Sequence, residues 1–129
     1  MSLDPVTFPD DPQPRATISG ALDAVVAVIE AAGIAATRDP SDFQPPGVIV
    51  GPPTITGLAT LGSIGLTVPV YIVHPDPGMT GLDWMLAQVA ILLPAFGESA
   101  SEPSLWNSPL EAGGLPSYLI TVRLNVEEI

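Results

Sequence analysis

His74 is the only side chain in this sequence that titrates near neutrality without help from its surroundings, and Asp76 stands two positions after it. A His–carboxylate pair can do general acid–base work when the carboxylate orients the ring. A single His at a strand end, beside Pro75 and Pro77, equally suits a turn, and the turn is the reading favoured here. The remaining chemistry-bearing residues are sparse. Asp10 with Asp11, Asp39 with Asp42, and Glu127 with Glu128 could meet a hard cation, but none has the spacing or the glycine of a calcium loop. They read as solvated carboxylates. Gly51-Pro52-Pro53 and Gly62-Ser63-Ile64-Gly65 lack the Lys of a P-loop and the strand–glycine–helix setting of a dinucleotide site. The serines have no second His and no nucleophile elbow to activate them. No catalytic residue, cofactor or metal is expected.

Composition narrows the function further. Fourteen carboxylates against three basic residues give a formal net charge of -11, with no basic stripe along which phosphates could displace counterions. Tight nucleic-acid binding is therefore not expected. Only 13% of the residues are charged while 47% are hydrophobic. A chain so short of charge is expected to hide part of its surface against other subunits. There is no cysteine, so thiolate chemistry and disulfides are excluded. No window offers the roughly 20 uninterrupted apolar residues of a membrane span; Leu82 to Phe96 comes nearest and is broken by Asp83, Gln88 and Pro94. The reading is a soluble protein without a membrane partner. Residues 1–15, with Pro5, Pro9, Pro12 and Pro14, read as a flexible Pro/Asp-rich arm, and residues 16–129 as one domain.

The elements that would position these residues follow from apolar periodicity. Ile18, Leu22, Val25, Val26 and Ile29 share one helical face, with Thr17 or Ser19 as the cap and Gly33 at the exit. A short strand is expected over Ile34–Thr37, a loop over Arg38–Pro46, and a strand over Gly47–Gly51. Between Pro52 and Gly65 the apolar residues Ile55, Leu58, Leu61 and Ile64 are separated by glycines. They suit either a hairpin folded over its own core or an arm packed on a neighbouring subunit. Leu66–His74 alternates with apolar residues on both faces, so either face can take a cover. Pro69 predicts a bulge or an outward-facing gap in the ladder.

After the turn at His74–Gly78 comes a helix with Thr80 as the expected cap and Asp83 near the positive end of its dipole. Leu82, Met85, Leu86, Val89 and Leu93 form its expected core face, and Trp84, Ala87 and Ile91 a second apolar patch. Pro94 should end or kink it. Leu105-Trp106 suits a short strand. Tyr118, Ile120, Val122, Leu124 and Val126 alternate through a final one. The expected fold is α/β of the α+β kind, a mixed or antiparallel sheet flanked by two helices, in the order αβββαββ.

Taken together, the helix over Ala16–Ala32, the Gly47-Val-Ile-Val-Gly-Pro-Pro53 strand, Val68–Gly78, the apolar helix after it and the Tyr118–Leu124 strand resemble the tail terminator proteins of long-tailed bacteriophages. The resemblance spans roughly residues 16–129. It implies a small α/β domain that assembles as a hexameric ring, stops tail-tube growth at the right length and meets the head connector. It implies a place in the virion at the head–tail junction, with synthesis in the host cytoplasm. The implied partners are further copies of this chain, the tail-tube protein and the connector, with DNA passing through without specific binding. Within that frame Ile55, Leu58, Leu61, Ile64, Trp84 and Ile91 are the expected subunit interface. Asp39, Asp42 and Asp76 are the expected acidic lining of a lumen that would repel DNA. Two alternatives stand beside it: a head-completion or connector protein of the same junction, and a small enzyme or ligand-binding module using His74.

Overall fold

Strand pairing converges on one segment of the chain in the computed structural model, which describes residues 18–56, 63–107 and 114–127. The elements are α1 (Ile18–Ala31), β1 (Ala36–Thr37), a short 3-10 turn (Pro40–Asp42), β2 (Gly47–Val50), β3 (Thr54–Thr56), β4 (Ser63–Val73), α2 (Met79–Phe96), β5 (Glu102–Asn107) and β6 (Gly114–Glu127). The sheet order is β1-β2-β4-β6-β5, with β3 also on β4. Only β1 and β2 run parallel, so the sheet is mixed and the class is α+β. The order differs from the expected one by a single added strand, β3.

Alternation along β4 decides the layers. Leu66, Val68, Val70 and Ile72 are buried on one face, together with Val48 and Val50 of β2 and Ile120 and Val122 of β6. Leu22, Val25 and Ile29 of α1 and Met85, Val89 and Leu92 of α2 cover that face, so both helices lie on the same side. Removing each such aliphatic side chain from water is worth about 1.5–3 kcal/mol, which makes this layer the main source of stability. The opposite face is covered at one end only. There Ile49, Val73 and Trp106 are buried with Phe43, Tyr71 and Leu115 around them. Phe43 comes from the connection between the parallel strands, and its ring meets Trp106 edge-on at 5.0 Å. Both faces of β4 are apolar, as its alternation indicates, and the second is covered at this end only. Thr67, Pro69 and Tyr71 are only half-buried because no helix crosses that face.

The prolines explain where the ladder breaks. Gly51 donates its N–H to the Pro69 carbonyl at 2.8 Å, but Pro69 has no N–H to return. The step from Val50 to Thr54 is opposed by the shorter step from Val70 to Thr67, so one extra residue is taken up as a bulge at Pro52-Pro53. Beyond it the chain pairs again, Ile55 opposite Leu66. The described part therefore pairs as a hairpin, with Ile55 left exposed instead of folded over the core, while Leu58 and Leu61 lie outside the described residues. Ser19 lies within α1 instead of capping it, and Thr17 lies outside the described residues. Gly33 leaves α1 at φ 87°, as the turn there requires.

Ser117 is the exception to an apolar interior. It is buried, its hydroxyl has no hydrogen-bond partner among the described residues, and its strand neighbours are Val73 and Ser104. An unpaired buried hydroxyl costs its desolvation without return. Ser117→Ala should raise the unfolding free energy by about 1 kcal/mol in chemical denaturation; a lower value would show that the hydroxyl is satisfied in solution.

Candidate functional site

The turn from β4 into α2 holds the sequence's one histidine, and its geometry is structural. His74 is half-buried, with its ring 5.4 Å from that of Trp84 at an angle of 57°. Its Nδ1 accepts the backbone N–H of Asp76 at 3.1 Å, while the Asp76 carboxylate accepts the N–H of Gly78 at 2.8 Å. The two side chains thus each close a neighbouring backbone turn. They do not form a His–carboxylate pair with each other.

This turn also sets how α2 begins. Gly78 is the N-cap, with no side-chain bond to the helix, and Thr80 lies inside the helix, which corrects the expected cap. Gly81 is buried, and a Cβ there would meet the Asp76 carbonyl and the His74 ring. Only glycine lets the first turn of the helix approach so closely. The approach fixes the rotation of the whole helix: Gly81, Met85, Val89 and Leu92 point inward. Leu86 is consequently exposed and Leu92 takes the core place, which reverses part of the expected face. Pro94 sits in the last turn. Gly97, at φ 68°, ends the helix, with its N–H to Pro94 and that of Glu98 to Leu93.

The expected interface residues do not behave alike. Ile55 and Ile91 are 56% and 46% exposed. Trp84 and Ile64 are half-buried and pack on the main core, so neither is a free surface anchor in the isolated subunit. The expected lumen carboxylates are exposed but divided between two turns. Asp39 caps the 3-10 turn, accepting from the Ser41 hydroxyl at 2.7 Å and the Ser41 N–H at 3.0 Å. Asp42 ends that turn, and Asp76 lies in the β4–α2 turn. No group of three or more potential metal ligands occurs among the described residues.

What periodicity could not reveal is the arrangement of exposed apolar side chains. Val28, Ile55, Met79, Leu86, Ile91 and Leu105 are the large exposed hydrophobics among the described residues. Four belong to the two helices. Ile55 pairs with Leu66, and Leu105 with Pro116, next to Tyr118, so both also point to the helical side. All six lie on one side of the sheet. α2 itself is long and apolar enough, by length and composition, to cross a membrane. Its four buried residues seat it on the sheet, and most of its remaining surface is open.

The open sheet face carries a shallow cleft of about 260 Å³ between Glu98–Glu102 and Leu119, Thr121 and Arg123 of β6. Arg123 projects there, 73% exposed, with Glu98 at 3.0 Å. No family model, no curated protein and no solved structure matches this chain.

Two outcomes test this geometry. Gly81→Ala should lower stability by about 1–3 kcal/mol in chemical denaturation, because helix and turn must separate; an unchanged midpoint would mean the contact yields freely. The Ser41 hydroxyl, then the Ser41 N–H, and more weakly Arg38, hold the Asp39 carboxyl below its ordinary 3.8. Because the folded-state value is depressed, the stabilisation is fully present above the ordinary 3.8 and is lost as pH falls through the lower folded value. An NMR titration should find the Asp39 midpoint below 3.8 and moved up toward it in Ser41→Ala.

Proposed function

We propose that this chain is a structural subunit that acts by self-association, and that its ring, as the resemblance to tail terminators implies, closes a phage tail tube at the head–tail junction. One observation carries the self-association: every large exposed hydrophobic side chain among the described residues lies on the helical side of the sheet. Scattered apolar residues are ordinary on a monomer, but a one-sided set is the mark of a surface that another protein covers. The use of His74 and Asp76 in backbone turns supports the same reading, since it commits the one histidine to the fold. The net charge of -11 suits a passage for DNA, because carboxylates repel the phosphates instead of holding them. The ring order, the tail-tube partner and the connector partner come from the resemblance.

Light scattering on the full chain at several concentrations, alone and with the matching tail-tube protein, tests the proposal. A discrete multiple of the 13.3 kDa subunit is expected, sharpened by the tube protein. Ile91→Asp should shift it toward monomer without changing the melting temperature. A monomer under every condition, or one that instead partitions onto neutral lipid vesicles, would overturn self-association.

A further inference from the structure

At one border of the sheet β1 spans only Ala36–Thr37; at the other, β5 leaves a longer outer edge, and the ladder shows which of its backbone groups are free. His74 donates its N–H to the Pro116 carbonyl, so Pro116 and Tyr118 turn their backbone groups toward β4, and Leu115, Ser117 and Leu119 turn theirs toward β5. In the register of β5 on β6, Glu102, Ser104 and Trp106 therefore face β6, while Pro103, Leu105 and Asn107 face outward. The edge offers the N–H and carbonyl of Leu105 and of Asn107, and at Pro103 a carbonyl alone. Leu105, at the centre of that edge, is also 62% exposed on the helical side.

Residues 1–17, which lie outside the described residues, hold a segment with the complementary pattern, Asp4-Pro5-Val6-Thr7-Phe8-Pro9-Asp10. Extended, it turns the N–H groups of Asp4, Val6, Phe8 and Asp10 to one side, while Pro5 and Pro9, which have none, both fall on the other. A strand of that kind pairs along one border only. Where the described chain begins puts the segment within reach of β5. α1 enters β1 through the turn at Gly33 and also touches β6, so its first residue lies toward β6, about 21 Å of helix away from Ala36 and beyond the Glu102 end of β5. Asp11–Thr17 can span at most about 25 Å, against roughly 10 Å from β6 to the far side of β5.

We propose that Asp4–Asp10 adds to the outer edge of β5 of the same chain, antiparallel to it, with Phe8 opposite Leu105, Val6 opposite Asn107 and Asp10 opposite Pro103. The antiparallel direction brings Asp10 to the Glu102 end, from which Asp11–Thr17 returns to α1. Phe8 and Val6 each exchange both backbone bonds with their partners, and the Asp10 N–H meets the Pro103 carbonyl. Phe8 then lies beside Leu105 on the helical side and covers it. The added strand presents Pro5 and Pro9 outward, so the sheet stops there and copies are turned away from meeting edge to edge.

Amide hydrogen exchange on the full chain tests it. In the parent the Leu105 and Asn107 amides should exchange about tenfold more slowly than in Phe8→Pro, which removes a donor facing β5, and should do so at every protein concentration. Thr7→Pro removes a donor that faces away, and it should keep the parent's protection. The Val70 and Ile72 amides, in the pairing of β4 with β6, should stay protected in all three and report an intact fold. If Leu105 and Asn107 exchange alike in the parent and in Phe8→Pro, or Thr7→Pro frees them as much as Phe8→Pro does, the proposed strand is overturned. Protection that appears only as protein concentration rises puts a second copy on the edge and overturns the same-chain placement. Self-association through the helical side stands or falls separately, since light scattering reads it and this exchange pattern does not.

Discussion

The structure depends on the burial of one strand. β4 pairs with β2, β3 and β6, and its inward residues Leu66, Val68, Val70 and Ile72 are each no more than 2% exposed. A one-residue slip would turn all of them to the opposite face, where no helix waits to receive them. That penalty fixes the register of the long β4–β6 pairing. In the neighbouring chain the bulge at Pro52-Pro53 takes up one extra residue before the ladder on β4 resumes beyond Pro69.

Burial of one face only has a consequence for the rest of the molecule. Both helices sit on the β4 core, and the connection between β1 and β2 protects just one end of the other face through Phe43 and Trp106. The helical layer is short of charge because its sequence is mostly apolar on every side, and the sheet face is half-open because nothing crosses it. The molecule therefore presents two incompletely covered surfaces back to back. Several of its titratable groups, by contrast, are bound into turns: His74 and Asp76 at the start of α2, Asp39 at the 3-10 turn.

Much of this is legible in residue order, and the departures have a common cause. Strands with strict alternation, such as Tyr118–Leu124, and helix α1, whose Leu22, Val25 and Ile29 stand apart from Asp23 and Glu30, announce their buried faces through contrast. α2 offers little contrast, for Asp83 is its only charged residue. Periodicity therefore places Leu86 inward where the fold buries Leu92, and it assigns Trp84 to a second apolar patch where the fold packs it half-buried on the core. β3 is hidden because its glycine-rich surroundings suit a loop as well as a strand. The apolar spacing at Ile55 and Ile64 carries no sign of which is paired and open and which is packed on the core.

Local period and composition are enough to set most of the element types, the α+β class, the acidity and the scarcity of reactive groups, because none of these needs distant residues to meet. Which side of α2 faces the sheet, and hence which hydrophobics remain exposed, is an outcome of folding. The physical reason is a single close approach: Gly81 packs against the Asp76 carbonyl and His74, and that contact sets the rotation of a helix whose own sequence is nearly indifferent to it. The concentration of exposed apolar side chains on one side, and the place of Arg123 on the other, follow from strand register. Register joins residues far apart in the chain, so it is settled only when the sheet forms.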